Sequence, residues 1–347
     1  MQCFAMCIMA VLAVSCTRTN EYTPEKINGV IWGTMYSITY NGDGIDDADV
    51  INNGITDALN EVDAAANAFE PTSELALLNA DGKLDNPSQH FIKLLEVSSK
   101  IYRESRGAFN PTIGPLVDLW GFGAGQGSIN PNDAQVDSAL TLVDFEKIEF
   151  NSNQVQLAGS GMRLDFAAIA KGYGVDCASE VLRKNGIKDF MVEIGGEVRV
   201  QGLSPRGDKW AIQIDAPVMD NSVAHTRLAV LKLQDAAVAT SGNYRNYRFD
   251  NSGKLVYHTI SPVSGHPVET DILSATIVAA EAMTADALAT ASMVMGLKDA
   301  SDMIQRLSAD KNAGVYGAVF VTESADSESP YIIHTVALHA DKATLEE

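Results

Sequence analysis

The chain has 347 residues, 46% of them hydrophobic, enough for a sizeable core in one large domain or two intimately packed halves. Its 25 Lys and Arg against 45 Asp and Glu leave a net charge of −20. That balance argues against a nucleic-acid partner, because phosphate neutralisation needs clustered Lys and Arg. An acidic protein that handles an anionic ligand needs a cation to mediate the contact.

Residues 4–14 form an apolar run that ends in Ala13-Val14-Ser15-Cys16. The run has the length of a signal h-region and is too short to span a membrane as a lasting helix. Three of the four cysteines lie within the first sixteen residues. The pattern resembles a bacterial lipoprotein signal over residues 1–16, with Cys16 becoming the lipidated N-terminus and residues 17–26 a tether. A plain secretory signal is the rival reading. On the lipoprotein reading the protein is exported and anchored by lipid to the membrane, facing the periplasm. With Cys16 acylated, Cys177 is the remaining internal thiol and no intramolecular disulfide forms. Cys177 reads as a small core residue on a helix.

Residues 30–40 alternate as a strand, with Gly33-Thr34 as an interruption that suggests a bulge or a close backbone approach. Ile51, Ile55, Leu59, Val62, Ala66 and Phe69 follow helical spacing across 48–69. Glu70-Pro71 turns the chain, Ser73 starts a short helix, and Ser88 caps a long one that Gly107 stops. A loop rich in Gly, Pro and aromatics fills 108–123. Residues 134–143 return to helix, and 148–157 read as a hairpin turned at Asn151-Ser152-Asn153. At 162–175, MRLDFAAIAKGYGV, a short apolar strand leads through small residues into a helix opened by Lys171-Gly172. Two short strands broken by Gly195-Gly196 fill 189–202. Strands follow at 210–215, 228–233, 237–240, 255–260 and 274–280, then a compact helix at 282–295 and closing strands at 316–322 and 332–338. Elements that are grouped rather than strictly alternating predict an α+β fold with antiparallel sheets.

Two segments carry the chemistry. Small residues at Ala167, Ala168 and Ala170 let backbone groups approach a ligand, and a helix N-terminus presents unpaired N–H groups to an anion. Asp286 and Thr290 stand four residues apart on one face of a helix that is otherwise Ala, Leu and Met. Hard oxygen donors at that spacing suit Mg2+. They equally suit an Asp favoured by the helix dipole and a Thr bonded back to its own helix.

Taken together, Gly33-Thr34 followed by Tyr36, PTSELALLN, AFNPTIGPLVDLWGFG, LDFAAIAKGYGVD, VEIGGEVRVQG, ATSGNYRNYR, HTISPVSGHP and TADALATASMVMG resemble, in order, the motif set of the ApbE family of FAD:protein FMN transferases. The resemblance covers residues 27–345 and implies antiparallel sheets with packed helices, related to the T-fold. It further implies Mg2+-dependent transfer of FMN from FAD to a Thr of an acceptor protein, such as a subunit of a membrane redox complex, with release of AMP. The same site with water as attacking group gives FAD hydrolysis to FMN and AMP, and a site without turnover gives a flavin-binding lipoprotein. Carried over by motif, Trp32, Phe69, Ala108, Phe109 and Asn110 line the FAD site, and Asp165 and Lys171 contact FAD. Ala168 offers its carbonyl to the metal, with Asp286 and Thr290 as side-chain ligands. His258 and Ile260 also fall in the FAD site. His258 is placed either as the group that takes the Thr proton or as a structural or flavin hydrogen bond. Glu193 and Glu197 are expected to bind flavin or ribose edges, to support the metal indirectly, or to be solvated, because carboxylates repel FAD phosphates.

Overall fold

A computed structural model of the chain describes residues 22–45, 47–124, 130–218, 226–244, 247–249, 253, 255–326 and 329–346. Cys16, the leader and residues 17–21 of the tether lie outside these residues, as do Arg245 and Asn246 of the ATSGNYRNYR motif. The stretch 30–40, expected as one strand, is instead a hairpin between β1 (Pro24–Ile31) and β2 (Thr34–Asn41). Trp32 and Gly33 both take positive φ, 49° and 72°, which is the backbone of a two-residue hairpin turn. A tryptophan there is unusual, so sequence alternation alone runs straight through it.

Helix α1 (Ala48–Ala66) buries Ile51, Ile55, Leu59 and Val62, as their spacing predicts. Helix α2 (Glu74–Asp81), strand β3 (Lys83–Asp85) and helix α3 (Gln89–Glu104) follow. The two helices begin at the serines expected to cap them, with Ser73 accepting from Ala76 N and Ser88 from Phe91 N. The 108–123 loop holds a short helix, α4 (Gly114–Leu119), and α5 (Asp133–Leu140) comes next. Strands β4 (Ile148–Asn151) and β5 (Gln154–Leu157) form the expected hairpin, which β3 extends to a three-stranded sheet.

The 162–165 segment is not a strand. Asn79 takes the place of a partner strand, accepting from Leu164 N at 2.7 Å and donating to Leu164 O at 2.8 Å. Asp165 N donates to Pro111 O at 2.8 Å, which ties this segment to the Ala108 loop. Helix α6 (Ala170–Lys184) then leads to β6 (Phe190–Ile194), β7 (Glu197–Gln201), β8 (Trp210–Asp215), β9 (Arg227–Leu233) and β10 (Ala236–Gly242). After β11 (Tyr247–Phe249), β12 (Leu255–Tyr257) and β13 (Ile272–Ala279), the long helix α7 (Ala282–Ala309) precedes β14 (Val315–Glu323), β15 (Tyr331–Val336) and β16 (Ala343–Glu346). The compact helix expected at 282–295 therefore continues past a break at Gly296, where φ is 77° and ψ 168°. Asp271 restarts it by accepting from Leu297 N at 2.9 Å.

Eight strands form one sheet in the order β1-β2-β6-β7-β10-β13-β14-β15, with every neighbour antiparallel. This is the α+β arrangement that the grouped elements predicted. Alternation on the central strands divides two cores. Ala237 and Ala239 of β10 and Ile277 and Ala279 of β13 belong to the helical side, whereas Val238 and Val278 pack with Trp210, Leu231 and Leu233 of the small β16-β9-β8 sheet. Along helix α7, Ala285, Leu288, Ala289, Ala291 and Met293 are buried on the sheet, so the helix is apolar around most of its first half.

Helices α6 and α7 meet where the backbone is closest. A Cβ at Gly172 would lie 2.4 Å from Ala282 O and 2.8 Å from Met283 Cα, so glycine is required there. Asp176 completes the contact by accepting from Ala282 N and Met283 N, each at 2.9 Å, while Arg199 of β7 binds the same carboxylate at 2.6 Å. The residue before α7, Glu281, makes no side-chain cap, so Asp176 supplies the cap from another helix. Burial pushes the Asp176 carboxyl up to about 6, against the opposing pull of Arg199 and the two backbone donors. Asp176→Ala would strip both caps and leave Arg199 buried without its anion. A loss of about 3 kcal/mol in unfolding free energy by urea titration is expected. A change within experimental error would remove Asp176 from its place as the fastener between the helices.

Candidate functional site

The first turn of α6 and the first half of α7 face each other across a charged, buried pair. Lys171 Nζ lies 2.6 Å from Glu197 Oε1 and 3.9 Å from Asp286 Oδ1. Gly172 N donates to Asp286 Oδ2 at 3.1 Å, so the α6 N-terminus and the carboxylate on α7 are directly joined. Both carboxylates are about 95% buried as side chains, whereas Lys171 is one-third exposed. At an effective dielectric of about 20, the shorter separation favours Glu197 over Asp286 by about 2 kcal/mol of Coulomb attraction before solvent screening. Lys171 thus sits on Glu197 and beside Asp286.

Two carboxylates face one ammonium in this buried cluster. Burial is the larger influence on both acids: it pushes Glu197 up to about 7 and raises Asp286, with Lys171 pulling the other way in each case. For Lys171 itself, desolvation acts downward, but the attraction of Asp286 and Glu197 outweighs it and the ammonium is held charged. Glu197 Oε2 is buried with no hydrogen-bond partner among the described residues. Hard carboxylate and hydroxyl oxygens on one helix face are the donor set a divalent cation takes. Thr290 lies one turn beyond Asp286, with its hydroxyl 3.3 Å from Ser241 Oγ of β10. Ala168 lies in the turn just before α6, half-buried against the helical core. The metal-ligand candidates Ala168, Asp286 and Thr290 and the FAD candidate Lys171 therefore belong to one region, the α6–α7 junction. The sequence reading left Glu197 among three alternatives. It is not solvated; it is the partner of Lys171. Glu193, by contrast, accepts from Gly196 N at 2.8 Å and stabilises the β6–β7 turn.

The other predicted residues surround this junction or lie apart from it. Trp32, in the β1–β2 turn, packs its ring over Gly174 of α6, and its Nε1 donates to Asp63 at 2.7 Å. Asp165 accepts from Ala167 N at 2.6 Å, closing the bend before α6; burial raises its pKa against that bond. Phe69 is 72% exposed just beyond α1, which leaves its ring accessible to a planar ligand. Ala108 is buried and the Phe109 ring lies in the main core, whereas Asn110 turns inward to accept from Thr112 N and Oγ1. His258 and Ile260 belong to a second group: the His258 ring faces Phe122 at 6.4 Å, and Ile260 packs with Leu116 and Trp120. Arg248 of β11 lies over the Phe122 ring at 4.8 Å on the same side. Cys177 is half-buried, and burial pushes its thiol up to about 12, as befits a packing residue.

Asp176 and Glu197 are the residues that sequence reasoning under-read. An Asp in the interior of a helix is poorly favoured, and that was the available signal for Asp176. For Glu197 the signal was weaker: an acid immediately after the Gly195-Gly196 pair.

A family model described as the ApbE family matches residues 32–313. The chain belongs to the ApbE family. An FAD:protein FMN transferase from Vibrio cholerae is 32% identical over 290 residues, covering 82% of this chain and 85% of that relative. One from Haemophilus influenzae is 31% identical over 334 residues, covering 92% and 94%. Among solved structures, the flavin transferase ApbE from Vibrio cholerae superposes with a TM-score of 0.78 at 27% identity over 91% of this chain and 98% of that one. The apo form of the Pseudomonas stutzeri flavinyl transferase ApbE gives 0.78 at 28% identity, over 91% and 95%. The antiparallel sheets with packed helices are thus those of ApbE flavin transferases.

The charge balance of the junction makes a stability test possible. Lys171→Met alone leaves two buried carboxylates without their cation and is expected to lower unfolding free energy by about 2 kcal/mol, less than a fully buried pair because the ammonium is part-exposed. Adding Glu197→Gln should recover most of that loss in a double-mutant cycle followed by urea denaturation. Additive losses would show that the two side chains are not coupled.

Proposed function

We propose that this chain transfers the FMN part of FAD to a threonine hydroxyl of an acceptor protein, with Mg2+ bound and AMP released, while anchored through lipid on Cys16 at the periplasmic face of the membrane. The carrying observation is the buried Lys171–Glu197–Asp286 cluster at an N-terminal helix turn, in a chain that matches FAD:protein FMN transferases over most of its length. Among the described residues no helix is long and apolar enough to cross a membrane, so on this reading the anchor is the lipid.

The acceptor Oγ forms a bond to the FMN phosphorus, the bond from that phosphorus to the bridging oxygen breaks, and AMP leaves with the bridging oxygen. Asp286, Thr290 and the Ala168 carbonyl would hold the metal, which when bound neutralises charge on the pyrophosphate oxygens. Lys171 and the α6 N–H groups orient the pyrophosphate and add positive potential where charge develops. The exposed Phe69 and the ring of Trp32 are the flat apolar surfaces available to the nucleotide's rings. His258 takes the proton of the threonine hydroxyl on a ring nitrogen.

Incubation with FAD, Mg2+ and a candidate acceptor, followed by mass spectrometry of the intact acceptor, tests this reading. An acceptor heavier by one FMN is the expected result. Free FMN and AMP with an unlabelled acceptor would mean that water is the nucleophile, and intact FAD would overturn the enzyme reading. Asp286→Ala should lower the rate by about 100-fold or more. Full activity in that variant would remove the metal assignment.

A further inference from the structure

The reaction as drawn gives Glu197 no part, yet this acid occupies a costly position. It is 4% exposed, at the first residue of β7, with one oxygen on Lys171 and the other without a partner among the described residues. Burying a carboxylate this deeply is costly, and its pairing with Lys171 offsets that cost.

What the pairing does is visible in two distances. The Lys171 ammonium is in hydrogen-bond contact with Glu197 at 2.6 Å and stands off from Asp286 at 3.9 Å. An ammonium and a divalent cation compete for the same carboxylate. Were Lys171 seated fully on Asp286, a cation would have to displace it first. The stem of Lys171 is guided toward Glu197 by the β6–β7 turn. Gly195 there has φ 61°, and a Cβ on it would lie 2.9 Å from Thr34 Cγ2 and 3.5 Å from Lys171 Cδ. Gly195 N also donates to Met35 O at 3.1 Å, fixing the turn against β2. The groove for the lysine stem and the acid at its end thus come from one short segment, 195–197.

We propose that Glu197 is a positioning residue: it holds the Lys171 ammonium aside, so that Asp286 stays open to a divalent cation while the ammonium remains available to the pyrophosphate. The inference rests on the metal-dependent reading above and adds a division of labour between the two acids. Asp286 serves the cation, and Glu197 serves the lysine. Its consequence is a specific epistasis. Removing the Glu197 charge lets Lys171 swing onto Asp286, so cation affinity falls. Removing Lys171 as well takes away the competitor, so cation affinity returns while the grip on the pyrophosphate does not.

The test is Mn2+ binding to the full chain without FAD, followed by the electron paramagnetic resonance signal of free Mn2+. FAD affinity is then measured by flavin fluorescence with Mn2+ saturating. Wild type is expected to bind Mn2+ in a manner lost in Asp286→Ala, and Glu197→Gln to bind it about tenfold more weakly. The double variant Glu197→Gln with Lys171→Met should regain wild-type Mn2+ affinity and hold FAD more weakly than wild type. Glu197→Gln with unchanged Mn2+ affinity would overturn the positioning role alone. A double variant as weak as the single one would also overturn it, because Glu197 would then act on the cation directly. Mn2+ binding that survives in Asp286→Ala would remove the metal site itself, and with it the reading on which this inference rests.

Discussion

One ammonium between two buried carboxylates sets the terms for this protein. Lys171 at 2.6 Å from Glu197 and 3.9 Å from Asp286 is a cluster that burial alone would neutralise, since desolvation raises the pKa of both acids. The lysine opposes that shift in both acids, and on the proposed reading the Asp286 oxygens receive a cation. A chain carrying −20 overall has little net positive potential to offer an anionic nucleotide, so on the proposed reading Lys171, the α6 N–H groups and a bound cation supply it.

The fold exists, in this respect, to hold three separate elements at hydrogen-bond distance. Helix α6 brings Lys171, the long helix α7 brings Asp286 and Thr290, and β7 brings Glu197. Two features fix the arrangement. Gly172 lets the helices approach until only a hydrogen atom fits between them, and Asp176 caps α7 from within α6 while Arg199 ties that carboxylate to the sheet. Burial on both faces of the eight-stranded sheet makes this frame rigid. Phe69 is exposed and His258 half-buried, in contrast to the deeply buried carboxylates of this frame.

Local physics was legible in the chain and long-range physics was not. Ser73 and Ser88 start their helices because a capping serine acts on N–H groups three residues away, and Asp286 and Thr290 share a face because helical spacing decides it. The β1–β2 turn was read as strand because Trp32 does not advertise a positive φ. The apolar residues of 162–165 match a strand in sequence, yet the partner of this segment is the Asn79 side chain rather than another strand. Helix α7 was ended early because Gly296 is a stop signal, and only Asp271, from outside the helix, restarts it. Glu197 stayed ambiguous for the same reason: nothing in its neighbours in sequence names Lys171. The ordered motifs of the ApbE family carry what local spacing does not, because they group segments distant in the chain.

The measurement that bears most directly on the central claim is anomalous diffraction from crystals grown with Mn2+ in place of Mg2+. A single Mn2+ peak within about 2.2 Å of the Asp286 carboxylate, the Thr290 hydroxyl and the Ala168 carbonyl, with Lys171 still on Glu197, is expected. A peak that touches none of these atoms, or a Lys171 ammonium seated on Asp286 beside it, would contradict the proposed division of the junction into a cation side and a lysine side.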